Sequence, residues 1–172
     1  CVLCGHCVGV CPMGAKQVRN DLLRAQSLVM QRERVFVSLA PSFVSEYAEV
    51  PPLALVAAIR RLGFAGVSET ALGAELIAAH EAGVERHRRR PAISSACPSV
   101  VELVRKYYPG LVDLLSPTLS PALAHAKLLR ELYGEEIGVV FVSPCIAKKR
   151  EADAHQELID VAITFEDLST WF

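Results

Sequence analysis

Three things are scarce in this sequence. Net charge is one: 18 Lys and Arg face 19 Asp and Glu, for a formal −1. A nucleic-acid binder normally carries a marked basic excess, so that class is not expected. The basic stretch Arg86-His87-Arg88-Arg89-Arg90 reads instead as a solvated helix end. Long apolar runs are the second: no stretch of about 18 uninterrupted apolar residues exists, and no membrane span is expected. A signal-peptide pattern is the third, although a chain that opens on Cys1 gives that absence little weight. What is present suits a packed domain. The chain has 172 residues, 52% of them hydrophobic, at a mean hydropathy of +0.31. That is one ordinary domain with a small appendage. Six cysteines, four of them crowded together, point to a reducing compartment, and the expected location is the cytoplasm.

Those four open the chain as CVLCGHCVGVCP, placing Cys1, Cys4, Cys7 and Cys11 before Pro12. The C-x2-C-x2-C-x3-C-P spacing is that of bacterial ferredoxins, whose thiolates hold a 4Fe-4S cluster. Structural zinc normally uses paired hooks separated by a longer loop, and thiols this dense seldom form well-shaped disulfides. In two-cluster ferredoxins the fourth cysteine of such a run serves the other cluster. Cys11 therefore either closes a single cluster or partners a second motif lying upstream. The second option is favoured, which makes the sequence a piece of a longer protein. Mutating His6 is expected to matter little.

Beyond the cysteine run, hydrophobic periodicity predicts alternating helices and strands. Helices are expected at 21–32, 52–61, 70–87, 98–107, 121–133 and from Glu166 onward. Short apolar strands are expected at 35–40, 67–69, 92–94, 138–142 and 160–164. The alternation implies an α/β fold, a parallel sheet with helices on both faces, preceded by a small ferredoxin-like iron–sulfur segment. The expected division is 1–20 for that segment and 21–172 for the α/β domain. Three strands are expected to end in corners, at Ala40-Pro41-Ser42, Ala96-Cys97-Pro98 and Pro144-Cys145. Open α/β sheets bind ligands beyond the carboxyl ends of their strands. Cys97 and Cys145 are on this ground either ligands facing one crevice or small buried hydrophobes.

The surrounding residues favour ligands. SSACPSVVELVRKYYPGLVDLLSPTLSP and SPCIAKKREAD resemble the first two cysteine motifs of the iron-only hydrogenase large subunit, approximately TSCCPGW and MPCxxKxxE. VSLAPSF, the stretch from Arg60 to Thr70, and Ile159 to Thr164 are also similar to that family. The resemblance implies that Cys97 and Cys145 are two of four thiolates on the cubane part of the hydrogen-activating H-cluster. It implies that Ala40, Pro41, Ser42 and Lys148 line the diiron part, where amides and an ammonium hydrogen-bond cyanide ligands. Without it, Lys148 would read as a solvated surface lysine. Ser116 falls at the position of a proton-relay serine, and Glu81 at that of a relay glutamate. His80, His125 and His155 match no motif and read as exposed or hydrogen-bonded residues.

Two departures bear on activity. Active members carry a proton-passing cysteine where this chain has Ala96, which neither donates nor accepts a proton. The remaining two cluster cysteines belong to an ExMxCxxGCxxGG-like segment that is not in the sequence, so the complete H-cluster is expected only in a full-length protein. The expected function is a redox protein of this family that oxidises, evolves or senses dihydrogen and passes electrons through 4Fe-4S clusters. Its expected partners are ferredoxin or another redox protein, dihydrogen and protons, and a fused or associated signalling domain. The alternatives are a non-catalytic Nar-type iron–sulfur assembly factor and a simple electron relay.

Overall fold

The computed structural model describes residues 1–85 and 91–172; the basic stretch 86–90, and with it the last part of the helix expected to run to His87, lies outside the described residues. In chain order the elements are α1 (His6–Gly9), α2 (Leu22–Gln31), β1 (Val35–Leu39), α3 (Phe43–Glu46), α4 (Pro52–Arg61), β2 (Gly66–Glu69) and α5 (Ala71–Glu85). There follow α6 (Pro98–Tyr107), a 3-10 helix (Pro109–Leu114), α7 (Pro121–Tyr133), β3 (Gly138–Val142), α8 (Ala147–Ala154), β4 (Val161–Ile163) and α9 (Phe165–Trp171). Among these elements no helix is long and apolar enough to cross a membrane.

The four strands form one all-parallel sheet in the order β2-β1-β3-β4. The central strands β1 and β3 are buried at every position, which is why they read as continuous apolar runs rather than alternating ones. Their side chains still alternate between two cores. Val35, Val37, Leu39, Val140 and Val142 face one side, where Ala25 of α2, Leu55 and Ile59 of α4, and Leu168 of α9 cover them. Phe36, Val139 and Phe141 face the other, under Leu123, Ala126 and Leu129 of α7 and Ala152 of α8. The fold is thus the expected α/β class with helices on both faces. From β1 the chain passes outward to β2 and then crosses back to β3 on the opposite side, so strand order reverses between β1 and β3.

One expected strand is absent. Ile93 of the 92–94 run makes only an isolated parallel bridge to Leu115, outside the sheet. Its N–H donates to Leu114 O at 2.7 Å and its carbonyl accepts from Ser116 N–H at 2.8 Å. Ala92, Ile93 and Ser94, only two of them apolar, form a local pairing with a nearby segment and do not reach the sheet. Four helical elements were not expected: the single turns α1 and α3, the 3-10 helix, and α8, whose sequence AKKREADA has almost no apolar stripe.

The layers are pinned by a buried polar cluster. His125 of α7 is wholly inaccessible, with Nδ1 2.8 Å from Ser38 Oγ and Nε2 2.9 Å from Ser68 Oγ. Ser38 in turn meets Thr70 Oγ1 at 2.8 Å, just before α5. Helix α5 lies directly on α7: a Cβ added at Gly73 would stand 2.2 Å from Pro121 O. No side chain larger than hydrogen fits there.

Burial lowers the pKa of His125 to about 4. Unfolded, the imidazole titrates near its ordinary value of about 6.5, so between these values the folded state binds fewer protons. The stability it confers is complete above the unfolded value and is lost as pH falls towards the folded one. The expected loss is about 2 kcal/mol between neutral pH and pH 5. Urea unfolding at the two pH values checks this, and His125→Gln should flatten the dependence in that window.

Candidate functional site

The site begins at the carboxyl ends of β1 and β3, where strand order reverses and open α/β sheets place their ligands. Ala40, Pro41 and Ser42 leave β1 here, Ala40 half-buried and the other two exposed. Ala40 N–H donates to Val142 O at 2.9 Å, which keeps this loop against the end of β3. Cys145 follows β3 after Ser143 and Pro144 and is half-buried. Its N–H donates to Ser143 Oγ at 3.2 Å, turning the chain into α8.

Lys148, one turn on, is buried rather than solvated, at 9% exposure. Its Nζ donates to Glu151 Oε2 at 2.6 Å and to Ala96 O at 3.2 Å. The ammonium therefore ties the second cysteine motif to the first. Glu151 also accepts from Ser120 Oγ at 2.9 Å, so the cation and its carboxylate are fixed from both sides. In the sequence Glu151 stands out only as part of the SPCIAKKREAD motif. Its i,i+3 spacing from Lys148 was the available signal.

Cys97 does not follow a strand of the sheet, because the 92–94 segment is outside it. It is the N-cap of α6 with Pro98 in the first turn, and it is exposed. Ser116 is buried by the Ile93–Leu115 bridge, and its Oγ donates to Glu81 Oε1 at 2.8 Å. Thr118 Oγ1 donates to the same oxygen at 2.9 Å. The serine and glutamate matched by resemblance, 35 residues apart in sequence, are thus in direct contact. Of the histidines, His80 is exposed, His125 is the buried one described above, and His155 sits 3.1 Å from Glu157 Oε1.

At the amino end Cys1, Cys4 and Cys7 are exposed and Cys11 is half-buried, and none is in a disulfide. Backbone N–H groups of Ala15 and Met13, joined by those of Lys16 and Gly14, favour the Cys11 thiolate and lower its pKa against a smaller opposing effect of burial. Gly14 takes φ +58, which lets the chain curl round that sulfur. Soft thiolates with backbone donors aimed at sulfur are the chemistry an iron–sulfur cluster requires. Among the described residues, however, no three His, Cys, Asp or Glu side chains are gathered as for a metal ion. Cys4 and Cys145 line one surface cavity, together with Ser99, Pro144 and Ile146.

A parallel α/β sheet with two cysteine motifs and a buried lysine at its switch point defines the class. The family model described as iron only hydrogenase large subunit, C-terminal domain, matches residues 33–172. The chain belongs to that family. It is 28% identical to the NADP-reducing hydrogenase subunit HndD of Solidesulfovibrio fructosivorans, over 98% of this chain and 34% of that protein. It is 29% identical to iron hydrogenase 1 of Clostridium pasteurianum, over 92% of this chain and 32% of that one. It is also 25% identical to the cytosolic Fe-S cluster assembly factor NAR1 of Meyerozyma guilliermondii, over 88% of this chain and 33% of the relative. The chain spans about a third of the length of these relatives.

The Lys148–Glu151 pair gives a direct test of the site's internal electrostatics. Both side chains are about nine-tenths buried. Glu151→Leu leaves the ammonium without its carboxylate and is expected to cost about 3 kcal/mol in urea unfolding. The double variant Lys148→Met with Glu151→Leu should recover most of that loss.

Proposed function

We propose that this chain is the part of a cytoplasmic iron–sulfur redox protein where a ferredoxin-type segment, residues 1–20, meets the first portion of a hydrogen-activating domain, residues 21–172. Cys1, Cys4, Cys7 and Cys11 would serve 4Fe-4S ligation, the fourth ligand of the first three being Cys11 or an upstream cysteine. Cys97 and Cys145 would supply two of the thiolates of the H-cluster, with Ala40, Pro41, Ser42 and Lys148 around its diiron part. The observation that carries this reading is the buried Lys148 ammonium, which spans from the Cys145 motif to the main chain beside Cys97. Glu151 neutralises that charge, and the contact with Ala96 O fixes the two cysteine motifs at one place, as two ligands of a single cluster would need.

The bound clusters supply electron transfer and, in the complete protein, reaction with dihydrogen. The chain's own residues then have distinct tasks. Lys148 is a charge-assisted donor whose direction is set by Glu151. Ser116 is positioned to pass a proton to Glu81, with which it already shares a hydrogen bond. Ala96 interrupts that route at the reacting end, since a methyl group cannot exchange a proton. The expected electron partner is ferredoxin or another redox protein, and a fused or associated signalling domain suits a slow, sensing member.

A second reading, a non-catalytic assembly factor, is favoured by the similarity to NAR1 and by Ala96 itself. Anaerobic reconstitution with iron and sulfide counting addresses the amino-terminal site: Cys4→Ser should lose bound iron, and full retention would sink the ligand assignment. Hydrogen uptake by full-length protein addresses the rest. Ala96→Cys is expected to raise the rate by about 10²-fold, the usual worth of a positioned acid–base group. An unmodified protein that already matches the cysteine variant would remove the case for a sensor. Failure of both proteins to acquire a diiron centre would favour the assembly role.

A further inference from the structure

A second buried charge cluster lies on α8, one residue beyond Lys148. Lys149 Nζ donates to Arg19 O at 2.7 Å, Asp167 Oδ2 at 2.8 Å and Asp21 Oδ2 at 3.2 Å. An ammonium has three N–H bonds, and all three are used. The Lys149, Asp21 and Asp167 side chains are 6%, 1% and 9% exposed. Asp167 Oδ2 also accepts from Thr164 N–H at 2.9 Å, so the cluster engages the capping box that starts α9. Asp21 receives Arg19 Nε and Arg24 Nη1, each at 2.9 Å. Arg19 reaches onward to Asp153 of α8 with both terminal nitrogens, at 2.6 and 3.1 Å. Three cations and three carboxylates balance.

What the cluster clamps is the chain immediately after the cysteine run. No residue of 1–20 is buried, so that segment has no core of its own to hold it. Its other holds are slight. Lys106 of α6 donates to Cys1 O at 2.7 Å, but from a side chain nearly half exposed. Gly5 rests on Ile146, where an added Cβ would lie 3.1 Å from Ile146 Cδ1. The buried hold is the one through Lys149, on the helix that follows Cys145.

We propose that the ion cluster centred on Lys149 positions the cysteine segment 1–20 against the Cys145 loop and so sets the separation between the two iron–sulfur sites. The inference rests on the cluster-binding reading above for its consequence, but not for its geometry. Electron transfer weakens steeply with distance, so a clamp with no contact to either set of cysteines would govern the coupling of both. Lys149 is in this sense a positioning residue.

Trypsin reads the clamp directly. The Arg19 carbonyl that Lys149 holds is the carbonyl of the Arg19–Asn20 bond, and the Arg19 side chain is engaged by Asp153. In the whole chain, Lys149→Met should speed cleavage after Arg19 by about tenfold, the worth of one charge-assisted hydrogen bond. Cleavage after Arg34, at the entrance to buried β1, reports the global loss of a buried ion pair and should rise distinctly less than cleavage after Arg19, and Lys149→Arg should restore protection after Arg19. Parallel acceleration at both sites would mean that Lys149 contributes only global stability, and would overturn the proposal. So would no change at either. Asp153→Asn, which leaves the buried triad intact, should also speed cleavage after Arg19 alone; unchanged cleavage there would count against the clamp even if Lys149→Met fails to fold. In reconstituted full-length protein, Lys149→Met should retain its iron while magnetic interaction between the clusters weakens. If the unmodified protein takes up no iron, the cluster reading fails and the proteolysis result stands by itself.

Discussion

Two ammonium groups on adjacent residues of one helix are taken out of water, and the architecture around the site follows from neutralising both. Removing an ammonium from water costs several kcal/mol unless carboxylates and carbonyls replace its hydration. Lys148 and Lys149 project from α8 in different directions, as consecutive helical residues must. One meets Glu151 and the main chain at Ala96, and the other meets Asp21, Asp167 and the main chain at Arg19. A helix with hardly any apolar stripe is thereby held between the first cysteine motif and the amino-terminal segment. Only Ala147 and Ala152 of α8 join the lysines in being buried, so charge supplies much of what apolar packing supplies elsewhere.

This arrangement explains what sequence reading could and could not reach. The strands β1 and β3 were legible because burial on both faces leaves no polar residue to break their apolar runs, apart from Ser38. The loops after them were legible for the same reason: once two buried parallel strands are identified, their carboxyl ends are the place to look. Helix α8 was not legible, because AKKREADA carries the signature of a solvated face while both of its lysines are enclosed. Nothing local distinguishes a lysine destined for a buried carboxylate 128 residues away from one destined for water. The resemblance to a family gave Lys148 a role, whereas Lys149 stood in the SPCIAKKREAD motif without one, and its meeting with Asp21 and Asp167 emerged only in three dimensions.

The misplaced strand at Ile93 has a different cause. A run of three residues, Ala-Ile-Ser, has too little pattern to choose its partner, and a bridge to Leu115 satisfies the N–H and C=O of Ile93 without the sheet. That pairing has a further structural consequence: it draws in Ser116, whose N–H it uses, and so sets the hydroxyl against Glu81. Sequence position alone left Glu81 without a partner. Contact with both Ser116 and Thr118 gives its carboxylate oxygen two donors.

The two carboxylates near the site are thus already committed, Glu81 to a pair of hydroxyls and Glu151 to Lys148 and Ser120. Neither stands idle as an acid–base group beside residue 96. At Ala96 itself, Lys148 holds the carbonyl and makes no demand on the side chain. The lysine's position is therefore independent of whether residue 96 carries a methyl group or a thiol. Under the proposed reading the two tasks separate at this residue: its main chain would position the motifs and its side chain would carry any proton. A change between methyl and thiol at residue 96 would therefore leave that hydrogen bond, and the spacing of the two cysteine motifs that it fixes, in place.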